Sequence, residues 1–260
     1  DLSNRATLAA HADTPEHDPA ALLVDHGGLV WDLLRSGRIR RLDLVTDNSG
    51  LELLSDLGLV DALLERGLVQ HVRLHLKPQP YFVSDAMIGD CERTIAALQS
   101  SGEAALQRIG ARLDGSMRRG ALSLATHPFW ATHLFFSQLP SALRGELAGA
   151  DLLVLKGDVN YRRLLEDRHW PPTTRLEEVT QFVPTSTLSL RTLKAEIMVG
   201  LAEGQAESLD REDPTWRING RRGLVHLVRR ESVSSPTRFS PSGAGNGLRQ
   251  TKVCYNGQET

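Results

Sequence analysis

The chain has 260 residues, enough for one sizeable core or two small ones, and its 40% hydrophobic and 24% charged content is ordinary for a globular protein. A formal net charge of -2 provides no global basic field for nucleic acid, and no apolar run approaches the roughly 20 residues of a membrane span. Cys91 and Cys254 lie far apart without a CxxC spacing, which argues against a disulfide scaffold and a cysteine zinc site.

The first twenty residues are polar and contain Pro15 and Pro19. The chain opens at Asp1 rather than at a methionine, so it is expected to come from a longer product or from one whose amino end was removed. It shows no charged-then-apolar leader, and the cytoplasm is the expected location.

From Ala21 to Leu34, apolar residues recur at three- and four-residue intervals, which predicts one or two helices around Gly27-Gly28. Arg41 to Thr46 reads as a short strand ending in the polar tip Asp47-Asn48-Ser49-Gly50, and Leu51 to about Arg66 has helical spacing. A second strand is predicted within Val69–Leu76, where Val72, Leu74 and Leu76 alternate with Arg73 and His75 to give one apolar face. The rigid Lys77-Pro78-Gln79-Pro80 loop then leads through Tyr81-Phe82-Val83-Ser84 to Asp85.

Ile88 to Leu113 is helical in its spacing, Ala121–Thr126 is a third strand ending at His127-Pro128, and Leu139–Leu147 is a short helix. Asp151–Lys156 is a continuous apolar run, as expected for a strand covered on both faces, and it turns at Gly157-Asp158 into another helix. Further strands are predicted at Thr187–Leu190, Ala195–Val199 and Leu224–Val228. The alternation points to a three-layer α/β/α fold with a mostly parallel sheet. The expected organisation is a helical lead-in over residues 1–40, an α/β domain over 41–230 and a flexible Ser/Pro/Gly-rich tail over 231–260.

Polar tips therefore follow separate strands: Asp47-Asn48, Asp85, His127 and Asp158-Val159-Asn160. In an open α/β sheet such tips meet in one crevice. Their oxygens suit a hard divalent ion such as magnesium or manganese, and Lys156, Arg162, Arg191 and Lys194 stand near enough in sequence to offset phosphate charge. Each tip also has a plain structural reading. Asp47 or Asn48 can cap the helix after the tip, Asp158 and Asn160 can cap theirs, and Asp85 can bond its own loop. His127 reads as structural, and Phe129, Trp130, Phe135 and Phe136 as core or pocket wall. No GxSxG elbow, dinucleotide fingerprint or GxxxxGK[ST] loop is present, and the first tip is not the Asp-x-Asp of aspartyl-phosphate enzymes.

Five motifs in order, Asp47-Asn48-Ser49-Gly50-Leu51-Glu52-Leu53, Tyr81-Phe82-Val83-Ser84-Asp85, Lys156-Gly157-Asp158-Val159-Asn160-Tyr161-Arg162, Trp170-Pro171-Pro172-Thr173-Thr174 and Arg191-Thr192-Leu193-Lys194, resemble the metal-dependent damage-control phosphatases. The likeness is to the branch that includes the acidic-residue methyltransferase proteins; it spans about Asp1 to Val228, with Asp213–Gly220 as a closing segment. The resemblance implies a phosphatase for sugar phosphates such as fructose 1-phosphate and fructose 6-phosphate, without a nucleic-acid or membrane partner. It implies a manganese, cobalt or nickel ion on Asp47, Asn48 and Asp85, with substrate contacts from Asp158, Val159, Asn160, Tyr161, Arg162 and Lys194. Lys77 falls at a further basic position. The family's amino-terminal helical domain is expected to be largely absent. S-adenosylmethionine-dependent methylation of protein glutamates is the alternative activity the resemblance brings, although no glycine-rich adenosine loop accompanies it.

Overall fold

The computed structural model describes residues 21–230. The polar opening segment and the tail from Glu231 lie outside the described residues. Strands β1 (Leu22–Asp25), β2 (Arg41–Val45), β3 (His71–Leu76), β4 (Leu122–Thr126), β5 (Leu152–Lys156), β6 (Thr187–Thr192) and β7 (Gly223–Val228) form one sheet in the order β1-β7-β6-β5-β2-β3-β4. β6, β5, β2, β3 and β4 are parallel, whereas β7 is antiparallel to β6 and β1 pairs in parallel with β7.

The described helices are α1 (Gly27–Arg35), α2 (Leu51–Glu65), α3 (Ile88–Gln99), α4 (Ala104–Arg118), α5 (Ser141–Ala148), α6 (Gly157–Leu164), α7 (Leu176–Val179) and α8 (Gln205–Glu212). They cover both sides of the sheet. Leu42, Leu44, Leu152 and Val154 pack with Leu53, Leu57, Cys91 and Leu113 of α2, α3 and α4. On the other face, Val45, Leu153 and Leu155 join Leu143, Tyr161 and Leu164 of α5 and α6, with Phe129, Trp130 and Phe136. This is the expected three-layer α/β/α arrangement. It explains the near-continuous apolar run of β5, since alternate side chains enter two different cores. Among the described residues, no helix is long and apolar enough to cross a membrane.

Four local expectations are corrected. Ala21–Leu34 is not wholly helical: Leu22–Asp25 forms β1, and His26 N donates to Val225 O at 2.8 Å beside it. The sheet thus begins well before residue 41, because a partner two hundred residues away in sequence outweighs local periodicity. Ile88–Leu113 is two helices rather than one, and Gly110 of α4 lies so close to α3 that a Cβ there would stand 2.6 Å from Gln99 N. Ala195–Val199 is not a strand. Arg191 donates to Ala195 O and Ile197 O, and Val199 N donates to Tyr161 Oη, so the segment's polar groups are taken by side chains. Nor is the polar face of β3 open to water: His75 is buried and lies 3.0 Å from the buried Asp43 carboxylate, which Arg41 also grips at 2.6 and 2.7 Å.

After β2 the chain moves outward to β3 and β4, then returns to β5 on the other side of β2. The strand order reverses between β2 and β5, which is where open α/β sheets present a crevice beyond the carboxyl ends of their strands.

Candidate active site

The end of β2 is tied to β3, because Thr46 N and Thr46 Oγ1 both donate to His75 O, at 3.1 and 3.0 Å. Asp47 follows and is only 8% exposed. Its neighbour Asn48 donates through Nδ2 to Asp47 Oδ2 at 3.1 Å and to Glu52 Oε2 at 2.9 Å, and accepts from Ser84 Oγ at 2.6 Å. A β-bridge joins Asn48 to Asp85, Ala86 N donates to Asp47 O at 3.0 Å, and Ser49 N donates to Ser84 O at 2.7 Å. The segments beyond β2 and β3 are thereby stitched together, and Asp47, Asn48 and Asp85 come into one place.

Asp85 divides its two oxygens. Oδ2 accepts from Tyr81 N at 2.8 Å and Phe82 N at 2.9 Å, and Oδ1 lies 3.7 Å from Lys77 Nζ in a buried ion pair. The loop-bonding expectation for Asp85 therefore holds for one oxygen and leaves the other facing a cation. The capping expectation for the first tip does not hold. Gly50 precedes α2 at φ 75°, and no side chain caps that helix, so the polar groups of Asp47 and Asn48 are directed elsewhere. Neither Asp158 nor Asn160 caps α6, whose N-cap is Lys156 without a side-chain bond. His127 is structural as expected: its Nδ1 accepts from Phe129 N at 3.0 Å.

β5 delivers the opposite wall. Gly157 has φ +85°, and a Cβ there would stand 2.0 Å from Asp47 Oδ2, so only glycine lets this backbone rest against the carboxylate. Just before it, Lys156 Nζ is held by Glu52 Oε1 at 3.1 Å and Asp56 Oδ1 at 2.7 Å, both on α2. One turn on, the buried Asn160 donates to Thr46 O at 3.3 Å and Lys156 O at 2.8 Å while its Oδ1 has no partner.

Burial pushes the Asp47 carboxyl up to about 7, and the negative charge of Glu52 adds to this; Lys77 offsets part of it, Asp85 raises it further, and Lys156 offsets again. Burial likewise pushes Asp56 up to about 6 despite its contact with Lys156, and its Oδ2 has no partner. Three buried carboxylates, Asp47, Asp56 and Asp85, thus stand with Lys77 and Lys156, and burial is the main reason that Asp47 and Asp56 hold their protons.

The remaining sequence-derived residues spread along α6 and β6. Asp158 accepts from Arg191 Nε at 2.7 Å and from Lys194 N at 3.2 Å, so these three meet. The Lys194 side chain is exposed, and Val159 is half-buried. Tyr161 is buried beneath the Arg191 guanidinium, 4.5 Å from its ring, and accepts from Val199 N at 3.3 Å. Arg162 points away and pairs with Asp167 at 2.7 and 2.8 Å. Its neighbour Arg163 points inward. It is buried, donates to Leu134 O at 2.9 Å and Phe129 O at 3.0 Å, and keeps Nη1 without a partner. Burial lowers its pKa to about 10, and the charges of Tyr81 and Asp85 act against that. Glu52, Asp56, Gly157 and Arg163 were given no role by sequence reasoning. An i, i+4 acid pair in the first half of α2, one of two such pairs on that helix, was the available signal for the first two.

Comparison with known sequences decides the family. The profile of the damage-control phosphatase ARMT1-like domain matches residues 3–209. The chain belongs to this ARMT1-like family. Damage-control phosphatase ARMT1 of Danio rerio is 38% identical over 229 residues, covering 84% of this chain and 50% of that protein. The Xenopus tropicalis protein of the same name is 37% identical over 218 residues, covering 79% and 50%. The chain therefore spans about half the length of the curated relatives it matches. A DUF89 family crystal structure from Pyrococcus horikoshii is similar at a TM-score of 0.45 with 15% identity, over 78% of this chain and 52% of that one.

The ARMT1-like family is metal-dependent in general, and the donor set can be tested against that here. Among the described residues no three His, Cys, Asp or Glu side chains cluster as a complete cage. The Asn48–Asp85 bridge brings the buried Asp47 and Asp85 carboxylates to one place, with Asn48 between them turning its amide nitrogen to Asp47 and its oxygen to Ser84. That suits a hard divalent ion which keeps water or substrate oxygens in its other positions. The residues fit the group.

Proposed function

We propose that the chain is a metal-dependent phosphoric monoester hydrolase acting on small sugar phosphates of the fructose 1-phosphate and fructose 6-phosphate kind. Asp47, Asn48 and Asp85 hold one divalent ion, manganese, cobalt or nickel, with magnesium compatible with the same oxygen donors. Bound there, such an ion polarises a phosphoryl oxygen and neutralises negative charge on the ester.

The chain's own groups do the positioning. Asp47 sits against Gly157 and Asp85 is gripped by its loop, so both carboxylates are held in place by their neighbours. Asn48 is oriented by Ser84 and Glu52. Lys77 faces Asp85 and limits the charge that two buried carboxylates would otherwise build up. The start of α6, with Asp158, Val159 and Asn160, and Lys194 make up the substrate side, where Asp158 tethers the Lys194 backbone. The Tyr161 and Arg162 side chains are engaged elsewhere, by Val199 and Asp167, so these two residues have only their backbone to offer there. The amino end of α6 favours an anion in front of it.

The observation that carries this reading is the buried Asp47 carboxyl, pushed up to about 7 at the point where the strand order reverses, with Asp85 joined to its neighbour Asn48. The damage-control phosphatase names of the relatives support it. Calorimetric titration with manganese tests it. The expected result is one ion bound per chain, with affinity at least about tenfold weaker in Asp47→Asn and Asp85→Asn. Equal binding by all three proteins would refute the assignment.

A further inference from the structure

Tyr81, Phe82 and Val83 are 47%, 49% and 99% exposed, three consecutive large apolar side chains in water. Such runs are unfavourable unless something uses them. They also stand at a particular place. Tyr81 N and Phe82 N donate to Asp85 Oδ2, and Asp85 N donates back to Phe82 O at 3.1 Å. The next residue, Ser84, holds Asn48 through its side chain and Ser49 through its carbonyl. The stem of the loop is thus built from the residues assigned to the metal, while its apolar tip is left uncovered.

The tip is ordered. The Tyr81 and Phe82 rings meet edge to face with centroids 4.9 Å apart. The loop's backbone is closed by Pro78 and Pro80 on one side and by the Asn48–Asp85 bridge on the other. The backbone N–H groups of both aromatic residues bond the Asp85 carboxylate, which sets the pair directly beside the crevice. A rigid aromatic pair beside a phosphate-binding crevice presents apolar ring surface to whatever is esterified to the phosphate.

We propose that Tyr81 and Phe82 are specificity-determining residues that stack on the C–H face of the substrate's sugar, so that this site selects cyclic sugar phosphates over phosphate itself. This rests on the phosphatase reading and deepens it, since the crevice supplies phosphate affinity and the tip supplies affinity for the organic part. Val83, at the apex, extends the same apolar surface.

The test uses the whole chain with manganese and compares wild type, Tyr81→Ala, Phe82→Ala and the conservative Phe82→Trp. KM for fructose 6-phosphate should rise about tenfold in each alanine variant with kcat within about twofold, and Phe82→Trp should restore it. The inhibition constant of inorganic phosphate and the melting temperature should not move. Saturation-transfer NMR, which requires no turnover, should carry signal from aromatic ring protons to sugar ring protons in wild type and not in Tyr81→Ala/Phe82→Ala. An unchanged KM and unchanged transfer would overturn the proposal while leaving the phosphatase reading intact. A parallel rise in the phosphate inhibition constant, or a fall in melting temperature, would overturn it in favour of a structural role for the tip. Absence of any hydrolysis would count against the phosphatase reading, and absence of sugar transfer in wild type would overturn this one independently.

Discussion

Gly157 and Asp47 are so close that a single methyl group on the glycine would fall 2.0 Å from the carboxylate oxygen. The contact joins β5 to β2 across the reversal of strand order, and it makes the placement of Asp47 depend on a residue with no side chain. Gly157→Ala should therefore do two things. The left-handed φ of +85° should cost about 1–2 kcal/mol of stability, read by urea denaturation. Displacement of Asp47 should weaken divalent-ion binding by about tenfold or more. Stability loss with unchanged ion affinity would show that Asp47 has room to move.

The ion-free protein should become less stable as pH rises from about 4 to about 7 on account of Asp47 and Asp56. Their carboxyls are raised to about 7 and about 6 in the folded chain, from an ordinary value of 3.8, so the folded state holds protons that the unfolded chain has lost. Asp47→Asn should flatten its share of this dependence. Manganese should raise the melting temperature more at pH 8 than at pH 5, because at the lower pH it must displace the proton on Asp47.

His226 should act in the opposite direction. It is buried on β7 against His26, with ring centroids 5.2 Å apart, and burial lowers its pKa from 6.5 to about 4. The unfolded chain binds a proton there between those values and the folded chain does not, so stability falls as pH drops from 6.5 towards 4. The full effect is about 3 kcal/mol. Thermal melts of His226→Phe should lose this contribution, which separates it from the carboxylate effect in the same window.

Lys156 bridges two carboxylates of α2, and Asp56 is only 3% exposed. Lys156→Met should cost about 3–5 kcal/mol, as expected when one member of a buried pair is removed. Lys156→Met/Asp56→Leu should recover a large part of that. Additive losses in the double variant, measured by denaturant unfolding, would show that the pair is not coupled.

The central strands were legible because their apolar runs and alternation follow directly from coverage on two faces. β1 was not, since four residues cannot distinguish strand from helix when the partner lies two hundred positions away. Asp47, Asn48 and Asp85 were legible as polar tips after strands. Glu52 and Asp56 were hidden among the four acidic residues of α2, because only the folded sheet brings Lys156 to these two. Arg162 and Arg163 are adjacent in sequence yet turn to opposite sides of α6, one to Asp167 and one into the core beside Phe129. A sequence gives no means of choosing between them until the sheet's position fixes which side of the helix is inside.

The most direct measurement is release of inorganic phosphate from hexose phosphates by the purified chain with manganese and with chelator, alongside Asp47→Ala and Asp85→Ala. Release should need the ion and fall by about 10³-fold or more in both variants. Release that survives the chelator, or persists in both variants, would contradict it.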